Sequence, residues 1–116
     1  MKWINKGHEL DKLVNTIPNS FHEEVYIFGA GEIGKATGLC LAEFGLLGGF
    51  IDNDCKRQGS TFMDKPIISL EDYLSFVSEP AIVIAASKKN MSEIEQQLVK
   101  EKLFHGKNFV VQCFEK

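Results

Sequence analysis

Gly29, Gly31 and Gly34 are the residues whose type and spacing point most directly to chemistry. They stand in Phe28-Gly29-Ala30-Gly31-Glu32-Ile33-Gly34, straight after the β-forming run Val25-Tyr26-Ile27. Glycines in the pattern G-x-G-x-x-G, placed after a strand and opening a helix, form the fingerprint of dinucleotide-binding folds. The chemistry is recognition of an anion. Gly29 lets the chain turn, Gly31 lets the backbone approach a pyrophosphate, and Gly34 lets the helix pack tightly on its strand. The start of that helix offers free N–H groups and the positive end of its dipole. Gly29, Ala30, Gly31, Glu32, Ile33 and Gly34 are therefore expected to line a nucleotide site. Glu32 suits the helix start electrostatically. It would repel a pyrophosphate if it faced inward, so it is expected to point out.

Asp52 lies 18 residues after Gly34, close to the spacing of about 20 for the acid that accepts from ribose hydroxyls. Such an acid disfavours a 2′-phosphate, so NAD is expected over NADP. The plainer alternative is an Asx turn that ends a strand. Asn53 and Asp54 follow it, and Ser87 ends a later apolar run where it can meet a ribose or sugar hydroxyl. Lys35, Lys56 and Arg57 could each reach a phosphate. A surface position for Lys35 and a solvated loop for Lys56 and Arg57 are the expectation. No nucleophile or general base stands out. The three histidines are scattered, neither Tyr26 nor Tyr73 has a lysine four residues on, and no G-x-S-x-G, H-E-x-x-H or P-loop occurs. The catalytic set is unknown, and no metal ligands are expected.

The elements that must carry these residues follow from periodicity and punctuation. Leu10, Leu13, Val14 and Ile17 predict a helix over 3–17, closed by Pro18-Asn19-Ser20. A strand at 24–28 leads into the glycine turn and a helix over 32–44. Its core face is read as Ile33, Ala36 or Thr37, Cys40 and Phe44, with Gly45 at the stop. Leu46 to Asp52 is a strand apolar on both faces, as a central parallel strand is. Residues 56–65 are a loop or small hairpin around Gly59, followed by a short strand at 65–68. Ser69-Leu70-Glu71-Asp72 opens a helix over 70–77. Ala81 to Ala86 is a buried strand and Ser87 to Met91 a loop. Ser92-Glu93-Ile94-Glu95 reads as a second capping box, opening a helix over 92–104 that Gly106 ends. The last strand is 108–114. Strands alternating with helices define an α/β class. The expected architecture is a Rossmann-like three-layer sandwich of about five mostly parallel strands in the order 3-2-1-4-5. Its ligand lies where strand order reverses, between strands one and four.

A chain of 116 residues is read as a single domain, with residues 1–20 leading into it. With 44% hydrophobic and 25% charged residues it has the balance of an ordinary globular protein. A net charge of −3 gives no basic stripe for nucleic acid. No apolar run approaches the ~20 residues that span a bilayer. Three widely spaced cysteines without a C-x-x-C pair read as reduced thiols, and a cytoplasmic protein is expected.

Three motifs in order carry a resemblance. Gly29 to Lys35, Gly49-Phe50-Ile51-Asp52-Asn53-Asp54, and Gly59 with Lys65-Pro66-Ile67-Ile68-Ser69 look like the small Rossmann-like domain of bacterial surface-polysaccharide enzymes. The chain is similar there to the N-terminal domains of sugar acetyltransferases of the PglD type, and to those of nucleotide-sugar dehydratases and 4-dehydrogenases. The resemblance spans residues 24–87 and implies a holder for NAD or a UDP-type sugar, lined by Gly29, Gly31, Gly34 and Asp52. The acetyltransferases carry their histidine on a hexapeptide-repeat domain, and the dehydratases carry Tyr and Lys on a larger second domain. Nothing in the sequence resembles either. The leading expectation is a nucleotide-binding module in sugar-nucleotide or polysaccharide metabolism, working with a partner enzyme or alone. One alternative is a small oxidoreductase acting on sugar nucleotides, its site completed by a homodimer. The other is a non-catalytic sensor or interaction protein.

Overall fold

The structure is a computed structural model that describes residues 24–112. The helix expected over 3–17 and the end of the last strand, 113–114, lie outside the described residues. Among the described residues nine elements follow one another. They are β1 (Val25–Phe28), α1 (Glu32–Glu43), β2 (Leu47–Ile51), β3 (Thr61–Phe62), β4 (Lys65–Ile68), α2 (Leu70–Phe76), β5 (Ile82–Ala85), α3 (Lys88–Lys100) and β6 (Phe109–Gln112).

Every residue of β1, β2 and β5 is buried. Strands covered on both faces need side chains that suit a dry interior on both sides, which is why they read as unbroken apolar runs. The sheet has the order β3-β4-β2-β1-β5-β6. All pairings are parallel except that of β3 with β4. Without the two-residue β3, the other five strands take the expected order. Successive side chains along β1 go to opposite faces. Val25 and Ile27 pack with Cys40 and Leu41 of α1. Tyr26 and Phe28 pack with Tyr73 of α2 and with Ile94 and Leu98 of α3. One helix on one face and two on the other give the three-layer α/β sandwich.

Four local features differ from the sequence expectation. The hairpin turns at Met63-Asp64, both at positive φ (55° and 62°), and not at Gly59. A two-residue hairpin of this hand needs positive φ at both central residues. Methionine is a poor choice for such a turn, but its sulfur packs onto Gly38 of α1. Second, the sheet-facing stripe of α1 is Gly34, Thr37, Gly38 and Leu41, with Cys40 beside it. Phe44 caps the helix and is 56% exposed. The two glycines bring the helix backbone down onto the sheet, and that stripe of small residues carries no hydrophobic signal. Third, α3 starts at Lys88, with Ser87 as N-cap, four residues before the expected capping box. Fourth, α3 ends at Lys100 and Lys102 takes the left-handed position (φ 65°). Lys102 N–H donates to Val99 O and Leu103 N–H to Leu98 O, a Schellman-type closure. Gly106 belongs to the next turn, where its N–H donates to Phe109 O.

Candidate functional site

The carboxyl ends of β1, β2 and β5 lie side by side, and the loops that leave them surround a cleft of about 490 Å³. This is the point where strand order reverses. The cleft is lined by the β1–α1 loop from Phe28 to Ile33, by Asp52, Asn53 and Arg57 after β2, and by Ala85 to Ser87 after β5. Asn90, Glu93 and Ile94 of α3 complete it. Gly29, Ala30, Gly31, Glu32, Ile33, Asp52, Asn53 and Ser87 are thus brought together as expected. Gly34 does not line the cleft. It sits beneath it, where a Cβ would collide with the carbonyl oxygen of Gly29.

The glycines divide by what the protein itself demands. Gly29 has φ 126°, and a Cβ there would strike Ala85 O. Gly29 and Gly34 are therefore required by the turn and by the helix–strand contact. Gly31 is different. It caps α1 in an extended conformation (φ −118°). A Cβ on it would meet no protein atom nearer than Arg57 Nη1 at 3.8 Å. The protein has room for a side chain at Gly31 and carries none, at the one fingerprint position reserved for approach to a diphosphate.

Asp52 organises the loops. Its backbone N–H donates to Ile68 O (3.1 Å), fixing it at the end of β2. Its Oδ2 accepts from Ala30 N–H (3.0 Å), and Oδ1 accepts from Asp54 N–H (2.8 Å). The second contact is the Asx turn that the sequence left as an alternative. The first reaches across to the glycine loop. Gln58 Nε2 donates to the carbonyl oxygen of Asp52 (2.8 Å).

Arg57 departs from its expected solvated loop. Its Nη1 donates to Ala30 O (2.9 Å) and to Asp52 Oδ2 (3.3 Å). Its Nε lies 3.8 Å from Asp54 Oδ2. Five residues of irregular backbone separate Arg57 from the strand end, so no periodicity could have aimed it at the cleft. Asn90 falls in the stretch that the sequence reads as a loop before a helix at 92, and Glu93 and Ile94 stand inside the expected helix with nothing in the sequence to mark them as facing the cleft. Ser87 was the available signal, a good N-cap residue directly after an apolar strand. Its side chain makes no capping hydrogen bond, so the hydroxyl stays free to meet a ligand. Glu32 is exposed at the first helical position. Lys35 is exposed and does not line the cleft. Asn53 and Gln97 exchange two amide hydrogen bonds (2.9 and 3.1 Å) that tie the β2 loop to α3.

Chemically, the cleft offers backbone N–H groups at a helix start, three carboxylates (Glu32, Asp52 and Glu93), one guanidinium, a hydroxyl and an apolar wall from Ala85, Ala86 and Ile94. That set suits a ligand with an anionic centre, a polyol and a flat apolar group. Among the described residues no group of three or more His, Cys, Asp or Glu could hold a metal ion. No described helix is long and apolar enough to cross a membrane.

Fold and cleft together define a Rossmann-like α/β domain. No family model matches the chain, and no curated protein matches it. Among solved structures it is similar to the crystal structure of RSP, a Rex-family repressor, with a TM-score of 0.60 and 15% sequence identity. The match covers 93% of this chain and 58% of that one, so the chain spans little more than half the length of its structural neighbour. At that identity the likeness speaks for the fold.

Proposed function

We propose that this domain is a nucleotide-binding module that holds a nucleoside diphosphate ester in the cleft above β1 and β5. Gly31 carries the reading: it is the fingerprint glycine that the protein's own packing does not require. NAD(H) is the first candidate ligand, because Asp52 stands at the end of β2 where a ribose diol is received. A UDP-type sugar is the second. It is supported by the resemblance of the loops to domains of surface-polysaccharide enzymes, and with it goes a role in sugar-nucleotide metabolism. Titration calorimetry with NAD+, NADH, UDP-glucose and coenzyme A tests the proposal. Binding of NAD+, NADH or UDP-glucose at one site per chain is expected. No binding by any of the three at millimolar concentration would overturn it.

A second reading is a sensor, in which the bound nucleotide reports on its own concentration and no reaction follows. It is favoured by the likeness to a repressor, of which this chain spans 58%. A nucleotide that binds while no hydride transfer occurs across a panel of sugar nucleotides supports the sensor over a small oxidoreductase.

A further inference from the structure

This inference rests on the nucleotide reading above and concerns a residue that the fingerprint does not include. Arg57 lies over Gly31, with Nη1 within 3.8 Å of where a Cβ on that glycine would sit. A diphosphate approaching the backbone at Gly31 would come up against this guanidinium. Nη1 is committed to Ala30 O and Asp52 Oδ2, while the two Nη2 N–H groups make no hydrogen bond among the described residues. Arginine presents its donors in a fixed fork that fits phosphate oxygens in pairs.

The bond from Arg57 to Asp52 is a weak one. At 3.3 Å it is longer than the usual charge-assisted contact of about 2.7–2.9 Å. The Arg57 side chain is 48% exposed, and half-exposed ion pairs contribute little to stability. The carboxylate does not depend on it for orientation, because Ala30 N–H and Asp54 N–H hold one oxygen each. With Arg57 in place, Asp52 Oδ2 already accepts two donors and has no room for a ribose hydroxyl.

We propose that Arg57 is the diphosphate-binding residue of the cleft, and that its bond to Asp52 is a latch which the ligand exchanges. On binding, the guanidinium passes from the carboxylate to the phosphate oxygens while staying tethered near Ala30 O. Asp52 Oδ2 is thereby released to accept from a ribose hydroxyl. A ligand carrying both groups compensates for both partners of the broken pair. The shared chemistry is a ribose 5′-diphosphate ester, which NAD+ and UDP-glucose both supply.

A double-mutant cycle on the full chain tests the exchange, with NAD+ and UDP-glucose as separate probes and affinity read by calorimetry. Whichever probe binds identifies the ester. After exchange the two residues touch different parts of the ligand, so their losses multiply. Arg57→Gln and Asp52→Asn are each expected to weaken the bound probe about tenfold, and the double variant about a hundredfold. The Arg57→Gln loss should shrink in high salt, and Arg57→Lys should restore part of it. If Arg57 is only a tether that shapes the loops, the double variant will bind no worse than the weaker single variant, and that result overturns the proposal. An unchanged affinity in Arg57→Gln overturns it equally, and either outcome leaves the nucleotide site standing. No binding of NAD+, NADH or UDP-glucose by the wild-type chain overturns the nucleotide reading itself, and this inference with it. Melting temperatures of the variants within a few degrees of wild type establish that the losses are not unfolding.

Discussion

At the scale of single residues, the three fingerprint glycines make separable predictions. Gly34→Ala places a methyl group against the backbone of Gly29. It should destabilise the fold by about 1–3 kcal/mol, the ordinary range for overpacking, as read by urea denaturation. Gly31→Ala meets nothing closer than the end of a flexible arginine. It should leave stability within about 0.5 kcal/mol of wild type, as surface substitutions do, while lowering nucleotide affinity. Equal destabilisation by both would mean that Gly31 serves the fold and not a ligand. Gly29 and Asp52 were legible in the sequence because their spacing is set by strand and turn geometry. Arg57 was not, because a long side chain reaching over a loop leaves no periodic trace. The bond of Asp52 to Ala30 N–H was equally hidden, since it joins residues 22 apart in the chain.

At the scale of elements, helix α1 shows why an apolar stripe can mislead. Its buried residues are Gly34, Thr37, Gly38, Cys40 and Leu41, of which Thr37 and Cys40 were expected, so close backbone approach at the two glycines does packing that side-chain volume does elsewhere. Thr37 is 1% exposed and its Oγ1 makes no hydrogen bond among the described residues. Leaving a buried hydroxyl unpaired costs about 1–3 kcal/mol, so the isosteric Thr37→Val should raise stability by roughly 1 kcal/mol. Two residues past the end of helix α3, Lys102 sits at φ 65°. A non-glycine residue there is held in a left-handed conformation at a cost of about 1 kcal/mol, so Lys102→Gly should raise the melting temperature by a few degrees. Both expectations are checked by thermal unfolding. The existence and type of α1, α2 and α3 were readable from the sequence. The start of α3 was not, because Ser92-Glu93-Ile94-Glu95 has the capping-box pattern while the observed N-cap, Ser87, is followed three residues on by Asn90, and the packing of Ile94 and Leu98 against the sheet does not distinguish the two starts.

The tie between α2 and β5 has a pH signature. Tyr73 is 1% exposed, and its hydroxyl accepts from Ala81 N–H at 2.9 Å. Burial pushes the phenol up to about 12 from its ordinary 10.0, opposed by the Ala81 hydrogen bond and assisted by the neighbouring Tyr26. Burial, and then Glu24, raise Tyr26 as well. The folded protein therefore holds these phenolic protons more tightly than the unfolded chain does. The contribution of Tyr73 to stability is whole below pH 10 and is lost as pH rises from there to about 12. Denaturant midpoints should be flat up to about pH 10 and fall between there and about pH 12. Tyr73→Phe should show a shallower fall, starting from a protein about 1–3 kcal/mol less stable because Ala81 N–H has lost its acceptor.

At the scale of the whole molecule, the alternation of strands and helices conveyed the sheet order except for β3, a two-residue edge strand too short to leave a pattern. That order is what places three loops around one cleft, so most of the site was readable once the topology was. What the sequence did not convey was contact made by backbone and by long side chains: the glycine-lined face of α1, the Asp52–Ala30 bond, and Arg57 over Gly31. These contacts also decide what the cleft can hold.

The most direct test of a nucleotide site at Gly29–Gly34 is calorimetric titration of the wild-type chain and of Gly31→Ala, with NAD+, NADH and UDP-glucose in turn. A nucleotide site predicts binding of one of them to the wild-type chain, one per chain, and an affinity at least about tenfold weaker in a Gly31→Ala protein that melts like wild type. Equal binding by the two proteins, or no heat from any of the three ligands at millimolar concentration, would contradict it.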